Sequence, residues 1–259
     1  MSFETIRMGL ENGVAVIELN SPPVNAITPK MIDELEAAFD GLLQEESLRA
    51  VVLGSAMEKS FAAGADINQF LHGGPAETRA ISTRGVAVFQ KIAAFPRPVI
   101  CAINGVAFGG GLELAMFCDF RVIDPRAKVG LTEAGLGIIP GYGGTQTLTR
   151  LVGPGMARRM LFTGQAIKGE EAHRIGLAEV LSPPGECLAE AKKIAAQIAQ
   201  KAPLAVAAEK RCVAFATEHD LEVGLSYEMN EGYDIFATED KSEGAAAFLE
   251  KRDPVFHGR

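Results

Sequence analysis

The sequence is poor in the features that brace or anchor a chain. It has four cysteines, Cys101, Cys118, Cys187 and Cys212, and no pair of them is spaced CxxC. Cys101 and Cys118 sit inside apolar runs and read as small buried hydrophobes. A disulfide framework is therefore not expected, and a reducing, cytoplasmic compartment is. Basic charge is not in excess either. With 25 Lys and Arg against 33 Asp and Glu, the formal net charge is −8, which argues against a general nucleic-acid-binding face. No apolar run long enough for a membrane span is free of breakers. The run Pro98–Cys118 comes nearest, but Asn104, several glycines and Glu113 interrupt it. Residues Met1–Leu10 show neither an apolar h-region nor an Arg-rich amphipathic stretch, so no leader is visible.

Several familiar chemical signatures are missing. There is no GxxxxGK[ST] phosphate loop and no GxSxG nucleophile elbow. Gly135-Leu136-Gly137-Ile138-Ile139-Pro140 approaches GxGxxG but ends in proline, outside any clear βαβ unit, so a dinucleotide site is not expected. The histidines, His72, His173, His219 and His257, are scattered, and no Cys/His cluster has metal-ligand spacing. No metal site is expected.

What is present is an ordinary globular composition, 47% hydrophobic and 22% charged over 259 residues. That is enough chain for one large body, or a body with a smaller lobe. Asn12-Gly13 between the alternating segments Thr5–Leu10 and Val14–Leu19 predicts a β-hairpin. Thr28-Pro29 predicts a capped helix start, followed by apolar residues at helical spacing (Met31, Ile32, Leu35, Ala38, Phe39, Leu42). Arg49–Leu53, Val99–Ile103, Phe120–Ile123 and Lys128–Leu131 read as strands, and Leu112–Phe117 as a short apolar helix. Gly135–Gly144 reads as a glycine-rich loop, followed by short helices at Thr145–Val152, Met156–Phe162 and Gly169–Arg174. After Pro183-Pro184 the sequence becomes rich in Ala, Glu and Lys and predicts four helices: Cys187–Gln200, Leu204–Thr217, Asp220–Phe236 and Ser242–Lys251. The division expected is an α/β core over 1–185 and a helical lobe over 186–259.

Two carboxylates stand out by their isolation. Glu113 is the only charged residue from Pro98 through Cys118, and Glu133 the only one from Val129 through Thr149. A helix that is apolar all round is buried, and glutamates are rarely buried unless paired or used. If the two meet in one pocket, burial and mutual repulsion separate their protonation states, giving an acid and a base in one site. Two other readings stay open: Glu113 as a backbone cap or buried ion-pair partner, and Glu133 as a plain loop residue. Two small-residue clusters accompany them. Phe61-Ala62-Ala63-Gly64-Ala65-Asp66-Ile67 is a tight loop, and Gly109-Gly110-Gly111 precedes the Glu113 helix. Glycines let main chain approach a ligand, and a helix start offers free N–H groups to an oxyanion. A packing crossover is the alternative.

These segments resemble the enoyl-CoA hydratase/isomerase family, also called the crotonase family, over essentially the whole chain. The resemblance is carried by VNAIT (Val24–Thr28), FAAGADI (Phe61–Ile67), NGVAFGGGLELAMFCDFRV (Asn104–Val122) and LTEAGLGIIPGYGGTQ (Leu131–Gln146). It continues through GEEAHRIGLAEVL (Gly169–Leu181), FATED (Phe236–Asp240) and FLEKRDPVF (Phe248–Phe256). It implies a spiral of ββα units with a C-terminal helical oligomerisation lobe, assembled as a homotrimer or homohexamer.

Position by position, the resemblance implies that Ala65 and Gly110 supply oxyanion N–H groups. Glu113 and Glu133 would be the two catalytic glutamates of true hydratases, and Gly141 would help hold the catalytic water. Ala63 and Ile67 would lie at the coenzyme A adenine, and Lys251 would approach coenzyme A phosphates, often those of a neighbouring subunit. The implied reaction adds water across the 2,3 double bond of trans-2-enoyl-CoA thioesters to give 3-hydroxyacyl-CoA, with no cofactor beyond the coenzyme A of the substrate. Thr147 stands where an arginine is common and Gly232 where a bulky residue often borders the ligand; both bear on the shape of the acyl pocket. The rival activities are a Δ3,Δ2-enoyl-CoA isomerase, a cyclic dienoyl-CoA hydratase, and a non-catalytic member that binds CoA esters or RNA.

Overall fold

The computed structural model describes residues 3–66 and 74–259. The hairpin forms as its Asn-Gly predicts: β1 (Ile6–Glu11) pairs antiparallel with β2 (Val14–Leu19), and Asn12 and Gly13 both take positive φ. From there β3 (Ala50–Ser55), β5 (Val99–Ile103), β7 (Phe120–Ile123) and β10 (Val180–Leu181) extend the sheet in parallel, in the order β1-β2-β3-β5-β7-β10. A second sheet runs β4-β6-β8-β9, where β4 (Ser60–Ala62), β6 (Val106–Phe108) and β8 (Lys128–Gly130) are parallel. β9 (Ile167–Lys168) closes that sheet antiparallel to β8.

From β3 through β8 the chain gives one strand to each sheet in turn. β3 and β4, β5 and β6, and β7 and β8 are successive pairs, each completed by helical structure before the next. This is the ββα spiral that the resemblance implies. Among the described residues the helices are α1 (Pro29–Leu42), α2 (Pro75–Ala93), α3 (Gly110–Met116), α4 (Gly144–Thr163), α5 (Gly169–Arg174), α6 (Cys187–Ala199), α7 (Pro203–Ala216), α8 (Leu221–Phe236) and α9 (Glu239–Glu250).

Burial explains the uninterrupted apolar strands. Val51, Leu53, Val99, Cys101 and Ile103 face the main core, with α1, α2 and α3. The alternate residues Ala50, Val52, Ile100 and Ala102 face a second core, filled by Cys187, Ala191 and Ala195 of α6. Strands covered on both faces need apolar residues at every position. Helix α6, although it follows residue 185, therefore belongs by its packing to the α/β body. Helices α7 to α9 bury far less: α8 has no buried residue, and Leu221, Phe236, Phe248 and Leu249 are largely exposed. Lys210 ties α7 to the body through the Asp119 carboxylate at 2.8 Å and the Arg97 carbonyl at 3.2 Å.

The helices predicted at Thr145–Val152 and Met156–Phe162 form as expected: they are the two halves of α4, separated at Gly153, whose φ of 75° and ψ of 163° are not helical. One expectation is corrected. The loop predicted from Gly135 begins as the end of a 3-10 turn, Glu133–Leu136.

Candidate active site

The ends of the parallel strands of the second sheet converge on one cavity of about 670 Å³. Beyond β4 the chain reaches Ala65, beyond β6 it reaches Gly110, and beyond β8 it reaches Glu133. The first segment is held from below: Asn25, fully buried, donates to the Phe61 carbonyl at 2.9 Å, and Ile27 N–H donates to the Gly64 carbonyl at 2.8 Å. Gly109 turns the second segment into α3 at φ 47° and ψ −124°, a conformation that disfavours side-chain-bearing residues. A Cβ there would also stand 2.6 Å from Glu133 Oε1. Gly111 meets the Ala62 carbonyl so closely that a Cβ would lie 2.2 Å from its oxygen. The packing reading of the glycine triplet therefore holds at Gly109 and Gly111.

Gly110 opens α3, so its N–H has no carbonyl of its own helix to meet. A Cβ on Gly110 would lie 3.6 Å from the Ala65 nitrogen, which brings those two main-chain groups side by side. One turn further along α3, Glu113 is 1% exposed. Its Oε1 accepts from Tyr142 N–H at 2.8 Å and Gly144 N–H at 2.7 Å. Glu113 does cap backbone groups, one of them at the start of α4, and it also lines the cavity. Burial raises its carboxyl to about 7, with the negative charge of Glu133 adding to the rise; the N–H groups of Gly144, Tyr142 and Gly141 pull the other way.

Glu133 lies across the cavity, 9% exposed and also raised by burial. Its Oε2 is buried without a hydrogen-bond partner among the described residues. An oxygen in that state needs either a proton to donate or a ligand to meet.

The cavity therefore brings together Ala63, Ala65, Gly110, Glu113, Glu133 and Gly141. Ile67 lies outside the described residues. Lys251 does not line the cavity; it ends α9 in a left-handed conformation at φ 57°. A profile of the enoyl-CoA hydratase/isomerase family matches residues 9–259. The chain belongs to that family. It is 42% identical to a crotonyl-CoA hydratase of Syntrophomonas wolfei, covering 99% of both chains. It is 40% identical to a short-chain-enoyl-CoA hydratase of Clostridium acetobutylicum, covering 97% of each. A solved structure of an enoyl-CoA hydratase from Bacillus anthracis superposes with a TM-score of 0.96 at 36% identity, over 99% of this chain and 100% of that one. The fold is accordingly the crotonase fold.

The sequence pointed to the cavity's carboxylates and main-chain donors but not to its far wall. Helix α2 presents Thr78, Ile81 and Ser82 to the cavity, and Tyr142 of the glycine-rich loop stands opposite. The spacing of Ile81, Gly85, Val88, Phe89 and Ile92 was the signal for α2.

Proposed function

We propose that this enoyl-CoA hydratase/isomerase family member is a hydratase, adding water to trans-2-enoyl-CoA. The observation that carries the proposal is the pairing of two buried carboxylates with two adjacent main-chain donors in a single cavity. The thioester oxygen sits between the N–H groups of Ala65 and Gly110. As water attacks, charge moves from the double bond onto that oxygen, so the donors bind the transition state more strongly than the substrate.

Glu113, fixed by two N–H donors and poised near 7, takes a proton from water as the water oxygen bonds to the β-carbon. Gly141, beside Glu113, helps to hold that water. Glu133, whose Oε2 lacks a partner, carries the proton delivered to the α-carbon. Each turnover leaves Glu113 protonated and Glu133 ionised, and proton exchange with water restores the pair. Side chains and main chain account for every proton and charge, with coenzyme A as part of the substrate and no further cofactor. An isomerase needs one base to shuttle a proton, so a second essential carboxylate favours hydration.

Ala63 and Ile67 are proposed to flank the adenine of coenzyme A, and Lys251 to reach its phosphates in a neighbouring subunit. The exposed apolar residues of α8 and α9 support a homotrimer or homohexamer. No helix among the described residues is long and apolar enough to cross a membrane, and a cytoplasmic setting suits four unpaired cysteines. The test is crotonyl-CoA with purified protein, following loss of the enoyl absorbance and gain of one water by mass. Glu113→Gln and Glu133→Gln should each slow it about 10²-fold or more. A wild-type rate in either variant would sink the two-carboxylate mechanism.

A further inference from the structure

Tyr142 lines the cavity together with Glu113. Tyr142 is 4% exposed, and its ring spans the gap between two helices. One edge faces α2: a Cβ at Gly85 would stand 2.3 Å from Cε1 and 2.5 Å from Cδ1. The opposite edge faces the start of α3: a Cβ at Gly110 would stand 3.1 Å from both Cδ2 and Cε2. The ring therefore fits between two positions that lack side chains. Behind it stands Phe89, with ring centroids 5.3 Å apart, and Phe117 lies 5.8 Å beyond Phe89. The main-chain N–H of Tyr142 donates to Glu113, so the residue that carries the ring is tied directly to that carboxylate.

On the hydratase reading above, the carbonyl oxygen lies at Ala65 and Gly110 and the β-carbon lies at Glu113. The rest of the acyl chain then leaves past Glu113, into the wall that Tyr142 makes. We propose that Tyr142 sets the acyl-chain length, closing the pocket so that the enzyme favours short-chain enoyl-CoA thioesters. Gly85 is the matching half of the device, because only a residue without a Cβ leaves the ring its place. In a hydrophobic pocket, one methylene gained or lost changes discrimination by about 10–200-fold, so a ring's worth of space has a large effect.

The test compares kcat/KM for four-carbon and ten-carbon trans-2-enoyl-CoA. The wild-type enzyme should prefer the shorter substrate by at least about tenfold, and Tyr142→Ala should shift the ratio toward the longer one by at least about tenfold. Tyr142→Phe should keep the wild-type ratio. General damage to the site lowers both values together and leaves the ratio unmoved. Gly85→Ala alone should lower kcat on the four-carbon substrate by pushing the ring toward Gly110, and adding Tyr142→Ala should relieve that loss. Should Tyr142→Ala fail to fold, Tyr142→Leu gives the same comparison. A flat wild-type profile, or a ratio unmoved in Tyr142→Ala and Tyr142→Leu, would overturn the assignment while leaving the hydratase reading intact. Absence of hydration at every chain length would overturn the hydratase reading itself, and this assignment with it.

Discussion

Replacing Glu113 by glutamine should make the protein more stable at neutral pH while crippling it. The carboxyl lies under the main chain of Tyr142 and Gly144, and burial lifts it from its ordinary 4.5 to about 7. Between those two values the folded protein keeps a proton that the unfolded chain has released, so the contribution of this group to stability falls as pH rises and levels off above about 7. The full penalty corresponds to about 3 kcal/mol, of which roughly a quarter is already present at pH 5. Glutamine keeps an oxygen for the N–H groups of Tyr142 and Gly144 but carries no charge. The stability difference between variant and wild type should therefore grow in favour of the variant by about 2 kcal/mol between pH 5 and pH 8. Urea unfolding of both proteins, at matched concentration across that range, measures the difference directly. A difference independent of pH would refute the reasoning, because it would mean that the carboxylate is as well solvated in the fold as out of it. The expected exchange of activity for stability is characteristic of a residue kept for its chemistry.

The other expectations follow from contacts described above. Gly111→Ala forces a Cβ against the Ala62 carbonyl and should cost about 3 kcal/mol in chemical denaturation. Gly109→Ala sets a methyl against Glu133 at an unfavourable φ, and should lower kcat at least about tenfold in the crotonyl-CoA assay. Asn25→Ala removes donors to the Leu19 and Phe61 carbonyls and to Ser55 Oγ, and an acceptor for Ser21 N–H. It should cost about 3 kcal/mol by thermal or urea unfolding.

Much of this was legible in the sequence where a local rule had no competitor. Asn12-Gly13 fixed a hairpin, Thr28 and Pro29 fixed a helix start, and Val99–Ile103 was a strand to the residue because both its faces are covered. Glu113 and Glu133 were visible because nothing else near them carries charge. Helix α2 was missed because its inner face is built from Thr, Ser and Gly as well as apolar residues, so its period is faint. β4 and β6 span three residues each, too few for any alternation to show. Tyr142 was invisible for a different reason: its meaning depends on Gly85, 57 positions away, and only the folded chain brings the two together.

The parallel strands of the second sheet have a geometric consequence for the proposed oxyanion pair. β4 and β6 are direct neighbours, and Ala65 and Gly110 follow their ends. Neighbouring strands lie about 4.8 Å apart. An oxygen held about 2.9 Å from each of two N–H nitrogens at that separation sees them at an angle of about 110°. That is close to the spread of the two lone pairs on a carbonyl oxygen, about 120° for an sp² centre. On the proposed oxyanion reading, two N–H groups one interstrand repeat apart have the spread a carbonyl oxygen accepts well, and the segments after β4 and β6 bring Ala65 and Gly110 side by side.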